Sequence, residues 1–406
     1  MANTRAITPR WRYDTSLPPT ARLGFAGVLR VLVYALACAT AVAQTEQPAW
    51  RTVVPGVEYA KFTRGSVGPE GVTGPWPINL LRLDPARVTL DVVHAMDEGV
   101  GLETVSSMAS RTGAIVAVNA GYFRTTGTFR GDSQGLLQID GVLLSEADRG
   151  RAAAGFVRSG TAADATTTLV LGHATTDVSV RIASERRDIN GINRPVGDNE
   201  LVLFTSSFHR TTLTAPGGLE VTVRRGLVEA IHDGAGSTPI PTDGVVLSAR
   251  GASRLWLLVH AKPGSAVTVS ELVRPVDQQR DNPWTRAEDI VGGGPRIVSS
   301  GRVDITLERE KMLPSFSTDR HPRTAIGALA DGRILLATVD GRRPPLSVGM
   351  TLSELARLMI EFGATDAINL DGGGSTTMVV EGKVVNTPSD AAGERPVSDA
   401  IVVRRR

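Results

Sequence analysis

Three stretches of the chain follow one plan. Residues 135–144 read GLLQIDGVLL, residues 291–303 read VGGGPRIVSSGRV and residues 371–385 read DGGGSTTMVVEGKVV. In each, glycine stands in an opening loop, a short β-forming run follows, an x-Gly turn (Gly141, Gly301, Gly382) reverses the chain, and a second β run returns. Glycine supplies the positive φ that tight hairpin turns demand. Whether this is a repeat or three ordinary hairpins, it commits the chain to a strand-rich fold, and hairpins lying side by side would bring their glycine loops to one pocket.

Other signals agree. Residues 80–93 alternate around a Pro-Ala turn, and residues 201–204, 219–224, 244–248 and 255–260 read as short β runs bounded by Gly, Pro or Asp. Two helices are expected. One covers residues 104–111. The other opens on Thr351-Leu352-Ser353-Glu354, a capping box in which the N-cap oxygen and the Glu reciprocally satisfy free N–H groups. Leu355, Leu358, Met359 and Phe362 then share one face, and Gly363 supplies the stop. The expected class is α+β: strand-rich mixed sheets with a few packed helices in a single large catalytic domain, residues 161–280 being simply β-rich.

The first 43 residues read as an export signal. Arg22 and Arg30 precede an uncharged run over residues 31–43, too short for the ~20 residues of a membrane span, and Ala41-Val42-Ala43 is a cleavage pattern that leaves Gln44 first. Lipidation at Cys38 is the alternative. This segment holds five arginines against one aspartate, so the formal +2 of the whole chain becomes about −2 for the body. That balance argues against a nucleic-acid binder. Cys38 is the only cysteine, so the body has no disulfide, Cys nucleophile or Cys-ligated metal. The expected setting is periplasmic or secreted, with no stable membrane span once the signal is cleaved.

Four motifs carry candidate chemistry. In Ala367-Ile368-Asn369-Leu370-Asp371-Gly372-Gly373-Gly374-Ser375-Thr376 an apolar strand delivers Asn369 and Asp371 to one side, and consecutive glycines expose backbone N–H groups. That combination suits an anionic or sugar ligand, and equally a tight turn between strands. No Lys follows, so it is not a Walker loop, and Ser375 lacks the frame of a nucleophile elbow. Gly292-Gly293-Gly294-Pro295-Arg296 is a second exposed-backbone loop followed by an arginine. Arg320-His321-Pro322-Arg323 enters a strand, and Val339-Asp340-Gly341-Arg342 places a carboxylate at a strand end; the arginines would otherwise form a solvated basic loop. Ala117-Val118-Asn119-Ala120-Gly121-Tyr122-Phe123 sets an amide on a core strand, and its two aromatics are available for core packing or sugar stacking. The six histidines show no H-x-x-x-H spacing. No cofactor is required by these patterns, and a single divalent cation on Asp371 or Asp340 stays open.

Together these stretches resemble the phosphodiester glycosidase family. The matching residues are VNAGYF at 118–123, VGGGPRIVSSG at 291–301, HPRTAIG at 321–327, VDGR at 339–342, SVGMTLSELA at 347–356 and AINLDGGGSTTM at 367–378. The resemblance implies hydrolysis of a sugar-1-phosphodiester at the anomeric carbon, releasing sugar and a phosphomonoester, with a glycosyl-phosphate or polysaccharide as substrate. It implies Asp371 as principal carboxylate and Asp340 as the second. Arg296 and Arg323 would clamp the phosphate, with Arg320 beside them and N–H groups around Gly293, Gly294, Gly373 and Gly374; Ser375 adds a hydroxyl. Asn119 and Asn369 would orient the sugar. Rival readings are a metal-dependent phosphodiesterase attacking phosphorus and a non-catalytic glycan-binding or envelope-assembly protein.

Overall fold

The computed structural model describes residues 48–406 apart from 66, 69–70, 73, 162–164 and 278–280. The export segment and its cleavage pattern lie outside the described residues. Two sheets share the central core. An eight-stranded sheet runs, in spatial order, Arg51–Val54, Val57–Arg64, Trp76–Leu83, Ile334–Val339, Arg323–Leu329, Ala364–Asn369, Arg296–Ser299 and Arg302–Val303. A five-stranded sheet runs Lys383–Val384, Met378–Val380, Val116–Asn119, Asp399–Arg405 and Val88–His94.

The period-2 geometry of strands sorts the side chains between layers. Leu81 and Leu83 enter the shared core, while Ile78 and Leu80 turn to the opposite face, where the helix Leu352–Glu361 buries Leu352, Leu355 and Met359. In the second sheet Val116 and Val118 face the shared core, and Ala117 packs under the helix Val105–Thr112 beside Met108. The layers therefore run helix, sheet, sheet, helix. Strands covered on both faces read as unbroken apolar runs, which is how residues 114–118 and 334–339 appear in the sequence.

The second helix is built as its sequence dictates. Thr351 Oγ1 accepts from Glu354 N, and a Glu354 carboxylate oxygen accepts from Thr351 N at 2.9 Å, closing the capping box. Phe362 caps the far end and is only half-buried, stacked in a tilted contact on Phe62.

The loosely read region 161–280 completes two further sheets. One is seven-stranded, with the path Glu185–Asp188, Thr166–Ile182, Ala152–Ser159, Ala287–Gly292, Leu137–Ile139, Val142–Ser145 and with Val267–Pro275 paired to Thr166–Ile182. The other is five-stranded: Gly191–Ile192, Leu201–Thr205, Gly244–Ala249, Leu219–Arg224 and Leu227–Asp233. Among the described residues the only parallel pair joins Gly191–Ile192 to Leu201–Thr205; the rest are antiparallel, so the sheets are mixed only at that point.

One expected strand is a helix. Residues 255–260 belong to Gly251–His260, which buries Ser253 and Leu257, four residues apart, and leaves Leu255 and Val259 exposed. Five apolar residues followed by His260 do not by themselves distinguish strand from helix, and Leu257 with its neighbours on one helical face decides it.

All three x-Gly hairpins form, each with both turn residues at positive φ: Asp140 and Gly141, Ser300 and Gly301, Glu381 and Gly382. They do not lie side by side. The first belongs to the seven-stranded sheet, the second to the eight-stranded sheet and the third to the central five-stranded sheet. The glycine loops meet nonetheless. Gly292 N donates to Leu136 O at 2.6 Å and Gly294 N to Asn369 O at 2.7 Å.

Candidate active site

The strand Ala364–Asn369 ends where these loops meet. Asn369 is fully buried, and its amide Nδ2 donates to Gly294 O at 3.0 Å and to Tyr122 Oη at 2.9 Å. Tyr122 Oη in turn donates to Gly294 O at 2.7 Å. Asn119, equally buried, donates from Nδ2 to Asp371 O at 2.7 Å and accepts at Oδ1 from Thr324 Oγ1 and Thr377 N. Both amides thus brace the backbone of the two glycine loops from behind. Asn119 is satisfied in this way, whereas Asn369 Oδ1 is buried without a hydrogen-bond partner among the described residues. Phe123 is core and Tyr122 is half-exposed, with Phe316 edge-on at 6.4 Å between ring centres.

Asp371 follows at the mouth, partly exposed, with Oδ1 accepting from Gly372 N at 2.9 Å. Burial pushes its carboxyl up to about 7; the Ser375 hydroxyl, the Gly372 N–H and Arg395 oppose the rise, and the Asp399 charge adds to it. Asp399 is itself buried and fixed by Gly121 N at 2.5 Å, Ser398 Oγ at 2.6 Å and Ser133 Oγ at 3.4 Å.

Guanidinium groups complete the surroundings. The turn Gly373–Ser375 has no room for side chains: a Cβ on Gly373, at φ +62°, would stand 2.9 Å from Arg342 Nη1. A Cβ on Gly374 would stand 2.1 Å from Arg395 Nη2. Arg395 is held by Asp390 in two bonds of 2.7 and 3.0 Å. Arg342, itself at φ +58°, has no carboxylate partner among the described residues. Its Nε donates to His321 Nδ1 at 3.3 Å, and His321 titrates below its ordinary value because of burial, then Arg342, then Arg323. On the opposite side Arg151 lies over the Tyr122 ring at 5.9 Å.

The arginines singled out from the sequence have other duties. Arg296 pairs with Asp304, and Arg320 forms a two-bond pair with Glu354 of the capping box at 2.7 Å each. Arg323 is 1% exposed and donates to the carbonyls of Met350, Phe316 and Asp319 at 2.8–2.9 Å. Burial lowers its pKa to about 10. These three are engaged in the frame, as Arg395 is with Asp390. Asp340 is likewise engaged: it accepts from Asn386 Nδ2 and Thr387 N, and Asn386 also donates to Thr376 O. It anchors the glycine turn indirectly through Asn386, and the acidic charge that acts on Asp371 is that of Asp399. Gly293 and Gly294 are packed against Asn369 O and Glu310 respectively. Among the described residues no three His, Cys, Asp or Glu side chains gather as a cation would require.

Arg342 was within reach of the sequence, since it completes the VDGR motif whose aspartate was chosen instead. Arg395 and Asp399 carried no local signal among 40 arginines and 42 acidic residues.

Residues 217–404 match the phosphodiester glycosidase family. An SPbeta prophage-derived protein of Bacillus subtilis is 43% identical over 84 residues, 21% of this chain and 13% of that protein. The mouse N-acetylglucosamine-1-phosphodiester alpha-N-acetylglucosaminidase is 40% identical over 164 residues, 37% of this chain and 30% of that enzyme. The chain thus spans under a third of the length of either. Among solved structures, a Burkholderia pseudomallei protein described as exported superposes with a TM-score of 0.70 at 30% identity, over 82% of this chain and 75% of its own. A Synechocystis protein shares the fold with a TM-score of 0.73 at 20% identity, over 89% and 64%. No described helix is long and apolar enough to cross a membrane. Residues 217–404 of this chain are thus a phosphodiester glycosidase family domain.

Proposed function

We propose that this chain is an exported hydrolase that cleaves a sugar-1-phosphodiester at the anomeric carbon, releasing a sugar and a phosphomonoester. The observation that carries the reading is the placement of Arg342, a guanidinium without a carboxylate partner among the described residues, against Gly373 in the glycine turn that Asp371 opens. A phosphomonoester has a second pKa near ~6, so it leaves without strong general-acid help and needs its charge stabilised. Arg342, Arg395 and the backbone N–H groups of the turn supply that. Asp371, with Asp399 behind it, supplies the carboxylate that activates water or stabilises positive charge at the anomeric carbon. A carboxyl poised near neutrality suits that task. The residues reading as a signal peptide, and the exported relative, support a periplasmic or secreted setting.

Hydrolysis in oxygen-18 water tests the bond that breaks. Label in the released sugar is expected. Label in the phosphate would replace the glycosidase with a phosphodiesterase acting at phosphorus, and a purified protein that binds glycan but releases nothing from any sugar-1-phosphodiester would leave only a binding role.

A further inference from the structure

Beside the Asp371 cluster lies a cavity of about 550 Å³, within the ~300–1,000 Å³ range of ligand pockets. Two contacts join it to the candidate site. Ser133 lines the cavity and donates to Asp399 Oδ2. Asp148 lines it too and pairs at 3.1 Å with Arg151, the guanidinium over Tyr122. Neither Arg342 nor Arg395 lines this cavity.

The lining decides what fits. It holds no aromatic and no large aliphatic side chain, so it offers nothing to a lipid or an aryl group. Its three arginines each face carboxylates within the wall: Arg124 with Asp132, Arg149 with Asp148, and Arg194 with Glu146 and Glu200. Even with Asp132 protonated, the three guanidinium groups are matched by Glu146, Asp148 and Glu200 in the same wall, so a further phosphate or an anionic polymer finds no surplus charge. What remains is a wall of fixed donors and acceptors. Asp132 is the built part of it: its side chain is 3% exposed and its ion pair to Arg124 Nε is 3.6 Å, longer than a hydrogen bond. Burial raises its carboxyl to about 8, against the pull of Arg124, so at neutral pH it carries a proton to donate.

We infer that this cavity is a subsite for neutral sugar units linked to the reacting sugar, which makes the substrate a glycan phosphodiester of more than one residue. This rests on the proposed function for its orientation, while the binding itself can be read without turnover. The full chain carrying Asp371→Asn is titrated by calorimetry with the monomers and trimers of glucose, mannose, galactose and N-acetylglucosamine, and with a sulfated trisaccharide. At least one neutral trimer should bind at least tenfold more tightly than its monomer. Ala147→Phe, which fills the cavity from its wall, should remove that advantage while monomer binding stays within twofold. Arg149→Ala, on the exposed rim, should reduce it severalfold and serves if the larger side chain impairs folding, which a thermal melt reports. No trimer advantage, an advantage that survives both changes, or preference for the sulfated probe would overturn the subsite. Turnover of sugar-1-phosphodiesters by the unmutated chain is scored separately. A trimer advantage without any hydrolysis would refute the proposed reaction and leave the subsite standing.

Discussion

Replacing Asp371 with Asn tests the electrostatics of the site through stability as well as rate. Folding carries this carboxyl from 3.8 to about 7, a rise that favours the protonated form in the native state. The sign follows from linkage. Its contribution to stability is fully present below the unfolded pKa and is lost as pH rises from about 4 through 7, because the native state must then hold an ionised group its burial disfavours. At 1.36 kcal/mol per unit, the change between pH 4 and pH 8 is about 4 kcal/mol. Asn carries no charge and keeps an oxygen to accept from Gly372 N, but its NH2 replaces the carboxyl oxygen that accepts from the Ser375 hydroxyl, and losing that acceptor costs ~1 kcal/mol. The expected result is a variant about 1 kcal/mol less stable than the parent near pH 4 and about 2–3 kcal/mol more stable at pH 8, with turnover abolished. Urea denaturation at five pH values, followed by tryptophan fluorescence, measures the difference. A stability gap that stays constant across that range would refute the buried, near-neutral carboxyl; normal turnover by the variant would remove Asp371 from the mechanism.

If the ionised form of Asp371 is the working one, kcat/KM rises with pH through about 7, and a profile that instead falls there assigns it as the acid. Arg342→Lys keeps the charge but loses the fork, and should lower kcat/KM by about 100-fold with little loss of stability; Arg296→Lys, at a residue paired with Asp304, should stay within about threefold. Kinetics on both variants separate the two assignments, and equal losses would return Arg296 to the phosphate site. Gly374→Ala puts a methyl where Arg395 lies and should cost at least tenfold in kcat/KM, whereas a rate within twofold would show that Arg395 moves aside freely. Thr351→Ala removes the helix cap and should lower stability by ~1 kcal/mol without changing KM.

What the sequence disclosed follows from how local each signal is. Hairpin turns needing positive φ, the capping box and the apolar strands are set by neighbours in the chain, and they form as expected. The converging glycine loops were also foreseeable, though by another route than side-by-side hairpins. Residues 255–260 misled because five apolar residues and a histidine fit either period. The arginines misled for a different reason. Arg323, in a conspicuous motif, is bonded to three carbonyls, whereas Arg342, two residues after Asp340, meets only the His321 ring among the described residues. Which guanidinium is neutralised depends on partners such as Asp304 and Glu354, and for Arg320 the partner lies 34 positions away. Asp399 is 28 residues from Asp371 and reaches it only because its strand crosses the second sheet beside Asn119.

The meeting of loops from three sheets makes the site a gauge of how those sheets are docked. Small relative slippage of the seven-stranded sheet would part Gly294 from Asn369 and loosen the backbone around Gly293 while leaving every strand intact. Catalysis should therefore fade at lower denaturant concentration than fluorescence or circular dichroism, and a cosolvent that tightens packing should restore it first.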